Sequence, residues 1–141
     1  MEMIINGVKC KVIIDQKNVV NITTVTLDFE DYHYPLKLQH VYVDYYVKQL
    51  VGANESFFIT IENLKSDFTL HLDHKQMNGF KLLNCKGNII LETKLCWQVL
   101  IFNSQIHTFE IKTINADDND SVDVMLFEDS SINTLDQFIM S

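Results

Sequence analysis

Apolar and polar residues alternate along most of the chain in short runs, and turn-forming residues interrupt the runs about every 8 to 12 positions. Residues 57–62 put Phe57, Ile59 and Ile61 on one face, and residues 68–73 set Phe68, Leu70 and Leu72 opposite Thr69, His71 and Asp73. The same period of two groups Leu95, Trp97, Val99 and Ile101, and then His107, Phe109, Ile111 and Thr113. A period of two is that of a strand with one packed and one wet face. Asn6-Gly7 between 3–5 and 8–14 predicts a hairpin, because both residues tolerate the positive φ of a type I′ turn. Asn63-Leu64-Lys65-Ser66 has the length of a second hairpin loop. Further strands are predicted over 19–29, 36–46, 80–85, 88–92 and 122–127.

Two segments predict helix. Residues 45–51 could form a turn or two. From 129 to 140, Ile132, Leu135, Phe138 and Ile139 fall at spacings of three and four behind the cap residues Asp129, Ser130 and Ser131. The sequence reads without internal repeat, linker or βαβ unit. The expected fold is therefore all-β: one antiparallel β-sandwich domain over 1–141, jelly-roll-like, of about nine to eleven strands with a short C-terminal helix.

Composition agrees with that class. In 141 residues, 47% are hydrophobic, and the abundant Ile, Val, Phe, Tyr and Thr suit a pleated, half-buried surface. Abundant Ile, Asn, Lys, Phe and Tyr with little Ala, Gly or Pro also fit an AT-rich coding sequence, as in many phages and large viruses. All 11 basic residues are lysines, against 19 acids, for a net charge of −8. Without arginine there are no guanidinium clamps on phosphate or carboxylate and no arginine reading of guanine. Net acidity argues against binding to nucleic acid or an anionic membrane. No basic leader precedes an apolar stretch and no apolar run approaches 18 residues, so the expected location is intracellular and soluble, or within a virion. Cys10, Cys85 and Cys96 lack Cys-x-x-Cys spacing and read as buried hydrophobes.

The charge is unevenly spread. Lys112 is the last base, and Asp117, Asp118, Asp120, Asp123, Glu128, Asp129 and Asp136 follow it, while residues 1–112 hold 12 acids and 11 lysines. One reading of Asp117, Asn119, Asp120, Asp123 and Glu128 is a calcium loop, with Asp28, Glu30 and Asp31 as further oxygen donors. Val122 stands where a helix-loop-helix calcium loop needs glycine. The bland reading, a solvated acidic loop, is favoured. In His71-Leu72-Asp73-His74, His71 and Asp73 share one side of a strand and could begin a zinc site, with His33, His40 or His107 available as a third ligand, but a surface pair without metal is favoured. No nucleophile elbow or glycine-rich phosphate loop is present, and the expectation is a protein without catalysis or cofactor.

Tyr32, Tyr34, Tyr42, Tyr45 and Tyr46 have the broad rings and polar tips of interface residues. Together these features predict a structural or adaptor subunit of a larger assembly, such as a phage or viral particle. Its expected contacts are Tyr42, Tyr45, Tyr46, Asp117, Asp118, Asp120, Asp123, Ile132, Leu135 and Phe138. The expected partners are proteins with lysine-rich surfaces, or further copies of the chain. The rivals are a calcium-dependent binding module built on 117–123 and an intracellular carrier barrel for a small ligand.

Overall fold

The computed structural model describes residues 1–17, 22–36, 40–42, 56–72, 77–93, 98–114 and 122–140. All regular elements among them are strands: β1 (Glu2–Ile5), β2 (Val8–Lys17), β3 (Ile22–Tyr32), β4 (His40–Tyr42), β5 (Ser56–Leu64), β6 (Phe68–Leu72), β7 (Met77–Leu83), β8 (Lys86–Thr93), β9 (Gln98–Phe102), β10 (Gln105–Ile114), β11 (Asp123–Phe127) and β12 (Ser131–Met140). The all-β class is as expected. They form two sheets, one ordered β1-β2-β3-β5-β7-β9-β11 and the other β12-β10-β8-β6-β4.

From β3 onward, consecutive strands alternate between the sheets, and each pairs in parallel with the strand two places along. The chain thus winds as a coil whose rungs each contribute one strand to either sheet, which is a β-solenoid. Antiparallel pairing is confined to β1-β2-β3, where the Asn6-Gly7 hairpin forms as the sequence predicts, with φ of 51° and 80°. Three expectations are corrected here. Beyond β3 the pairing is parallel. Residues 57–62 and 68–73 make no hairpin, because β5 and β6 lie in different sheets. Residues 131–140 are a strand instead of a helix. The stretch 45–51 lies outside the described residues.

A repeat underlies the coil, against the expectation of none. Val25, Ile59, Phe80, Val99 and Val124 occupy successive rungs of the larger sheet, and Leu27, Ile61, Leu82, Ile101 and Leu126 form the column beside them. In the smaller sheet the columns run Val41, Leu70, Leu91, Ile111, Gln137 and Phe68, Ile89, Phe109, Leu135. In each column the residues before the last rung are buried, so the core is a set of stacked apolar ladders. Corresponding positions in the central rungs are 19 to 21 residues apart, a period at which a solenoid repeat is expected.

The corners explain why the chain does not simply fold back. Asn63 is the last residue but one of β5, and Asn84 and Asn103 directly follow β7 and β9, at φ of 60°, 54° and 48°. Asparagine tolerates this left-handed conformation better than other side chains with a Cβ. After each comes an inward residue, Leu64, Cys85 or Ser104, which is buried and carries the chain into the opposite sheet. The asparagines also bond along the coil: Asn84 Nδ2 donates to Asn63 Oδ1 at 2.8 Å, and Asn63 Nδ2 donates to Asp28 Oδ1 at 2.9 Å. Buried Ser104 accepts from Cys85 N–H at 3.0 Å and donates to the Phe102 carbonyl at 2.8 Å.

One face assignment changes. Phe109, Ile111 and Thr113 are buried as expected, but His107 is exposed and Ile106 is buried. The register of β10 against β8 slips between Ile106 and Phe109, and the extra residue reverses the alternation there.

Candidate functional site

The last rung differs from every rung before it. Among the described residues β11 and β12 are the final strands of their sheets, and no described strand pairs with their outer edges. Their inward side chains continue the core columns, but no further rung among the described residues covers them. Leu126 is 48% exposed, Leu135 42% and Ile139 47%, whereas their neighbours one rung back, Ile101, Phe109 and Thr113, are buried. Val124 and Ile132 are only partly buried. The exposed group is a cross-section of the core.

Outward residues extend the patch. Phe127 stacks on Phe102 with ring centroids 4.7 Å apart and planes 11° apart, and Lys81 Nζ sits 4.6 Å from the Phe102 ring on the rung before. Met125, Phe127 and Phe138 are all exposed. Gln137 is the one polar residue at a core-column position on this rung. Its amide accepts from Val122 N–H at 3.4 Å and donates to the Val122 carbonyl at 3.2 Å, which ties β12 to the start of β11.

Charge accompanies the apolar surface. Asp123, Glu128, Asp129 and Asp136 are exposed on this rung, and the chain carries no base beyond Lys112. Glu128 and Asp129 form the last corner at φ of 40° and 51°, where the corners of β5, β7 and β9 have asparagine and that of β3 has Glu30 and Asp31 at φ of 53° and 59°. On the outer face of the smaller sheet, Glu110 and Asp136 are register partners on adjoining rungs, so two like charges lie side by side.

The predicted site residues divide accordingly. Asp123, Ile132, Leu135 and Phe138 lie on the last rung, but Phe138 points outward beside Lys112 and does not share the inward face of Ile132 and Leu135. Tyr42 is in β4, at the other edge of the smaller sheet. Tyr45, Tyr46, Asp117, Asp118, Asn119 and Asp120 lie outside the described residues, as do Asp73, His74 and Cys96. Asp123 and Glu128 bound the extended β11 at either end, roughly 16 Å apart at the rise of a strand, too far to share one ion. Asp28, Glu30 and Asp31 belong to β3, four strand spacings or roughly 19 Å from β11. Among the described residues, no three His, Cys, Asp or Glu are grouped to hold a metal. Met125, Leu126, Phe127 and Ile139 belong to the patch without having been picked out as contacts. The signal that finds them is column membership: each lies one repeat beyond a residue of β9 or β10.

A second surface feature lies near the opposite end of the coil. An open depression of about 430 Å³ is bordered by Lys9, Glu30, Asp31, Tyr32, His33 and Tyr34, among others. Its acids are already engaged, Glu30 with Lys11 at 3.0 Å and Asp31 with Lys65 at 3.1 Å. The ion pair with Glu30 holds the Lys11 ammonium above its ordinary pKa. Tyr34 packs edge-on to Tyr32 and against His33. His71, half-buried, meets Glu92 at 3.4 Å. The thiols of Cys10 and Cys85 are pushed up to about 12, chiefly by burial, which suits core packing and not nucleophilic attack.

No family model, curated protein or solved structure matches the chain. No helix among the described residues is long and apolar enough to cross a membrane.

Proposed function

We propose that this protein is a non-catalytic structural or adaptor subunit that docks into a larger assembly through the C-terminal end of its coil. The observation that carries the reading is the exposure of Leu126, Leu135 and Ile139 at positions whose counterparts one rung back are buried. An uncovered solenoid rung needs either a polar cap or a covering segment, and this one presents apolar side chains together with two strand edges that pair with no described strand. Covering the exposed half of such a side chain is worth about 1 kcal/mol, so several of them repay part of the cost of association. The expected AT-rich coding signature extends the reading to a phage or large-virus particle.

The test is cross-linking with mass spectrometry on complexes purified from the organism that makes the protein. Cross-links concentrated on residues 123–140, and loss of the complex in Leu126→Lys with Leu135→Lys, are expected. A complex that survives both substitutions, or contacts confined to another surface, refutes the reading.

A further inference from the structure

The occupant of this end can be narrowed by charge and by the shape of the coil. We infer that it is a strand-forming segment of another protein, carrying lysine or arginine, which adds alongside β12 as one more rung; this rests on the docking reading above. A second copy presenting the same end would set its own Asp123, Glu128, Asp129 and Asp136 against the same four exposed acids, with no base among the described residues after Lys112 to offset them. A second copy presenting its other end does not match either. There, among the described residues, the larger sheet runs on through β3, β2 and β1 while the smaller one ends at β4, so the described strands do not offer two flush edges. The inward residues of that end, Ile5, Val8, Cys10 and Val12, are already buried.

β12 is the better template of the two free edges, at ten residues against five for β11. Edge strands bind extended peptides through the backbone, and alternate side chains set the specificity. On the inward side, Ile132, Leu135 and Ile139 ask for apolar residues. On the outward side, Asp136 already lies beside Glu110, so a cation on the added strand relieves a like-charge contact. Phe138 offers an exposed ring two positions further on, which also suits an ammonium or guanidinium group.

The probe is a ten-residue synthetic peptide alternating valine with lysine, compared with one alternating valine with glutamate. Binding to the whole chain is measured by fluorescence anisotropy, and protection of residues 131–140 by hydrogen exchange. The basic peptide is expected to bind and to slow exchange along β12. Its affinity should fall at least tenfold between low and high salt and at least tenfold in Asp129→Asn with Asp136→Asn, which alters only exposed side chains. Leu135→Lys should abolish binding, while Ile13→Lys, on the outer face of β2, should not. Equal binding of the acidic peptide overturns the charge inference and leaves the docking reading standing. So does dimerisation of the chain alone that Leu135→Lys abolishes, since the occupant is then a second copy. No binding of either peptide by a strictly monomeric chain overturns the inference and counts against the docking reading as well.

Discussion

Replacing Asn84 tests the corner that makes the coil. Its backbone sits at φ 54°, and its amide donates to Asn63 Oδ1 at 2.8 Å and, at 3.5 Å, to Asp31 Oδ1. Asn84→Ala keeps a Cβ in the left-handed region without asparagine's tolerance, at about 1 kcal/mol, and loses a partly buried hydrogen bond, at about another 1 kcal/mol. The expected total is about 2 kcal/mol, or a fall in Tm of roughly 8 °C for a chain of this size. Asn84→Gly loses the same bond but relaxes the backbone, so it should retain about 1 kcal/mol relative to alanine, partly offset by the greater freedom of glycine in the unfolded chain. Asn84→Asp should be no better than alanine, because it turns the donor into an acceptor facing Asn63 Oδ1 and Asp31 Oδ1. Urea denaturation with unchanged m-values ranks the three. If glycine is no more stable than alanine, the left-handed corner is not the constraint. If alanine lies within about 0.5 kcal/mol of wild type, the ladder contributes nothing of note.

Three further outcomes are expected. Peptide mapping after iodoacetamide treatment at pH 8.5 should find Cys10 and Cys85 unlabelled in the native protein and labelled in urea, since burial holds both thiols near 12; native labelling at either site contradicts the packed core. Burial, reinforced by the Asp28 charge, raises the Glu62 carboxyl while Lys81 lowers it. Glu62 therefore holds its proton more tightly folded than unfolded, and its share of stability falls as the pH climbs through the folded value. Glu62→Gln should stabilise the protein at pH 7, the gain vanishing below the ordinary carboxylate value of 4.5, and chemical denaturation at pH 7 and pH 4 measures it. At Gly79 an added Cβ would collide with the Phe58 ring lying over it from the adjacent rung. Gly79→Ala should cost about 1 kcal/mol or more by overpacking, and much less in a Phe58→Ala background; additive costs in denaturant titrations would show that the ring is not the obstacle.

The sequence by itself determined the all-β class, most of the strands with their buried sides, and the Asn6-Gly7 hairpin; it misread 131–140 as a helix and the face of His107. Those features depend on neighbours one to four residues apart, and alternation with a period of two reads the same in any sheet. It is silent on the pairing partner, because the backbone groups that join strands are common to all residues. Only the tertiary structure decided that Phe57, Ile59 and Ile61 stack in parallel columns with residues 20 or 21 positions ahead and 34 behind instead of folding back on Phe68 and Leu70. The recurrence of asparagine at 63, 84 and 103 carried that information in the sequence, but it appears only when distant segments are compared. The last strand shows the limit of local spacing. Ile132 and Leu135 are three apart, as on a helix, because β12 follows the irregular rung of β10, where Ile106 and Phe109 are also three apart. Their exposure was likewise settled by position in the coil: the same apolar residue is core with a rung above it and surface without one.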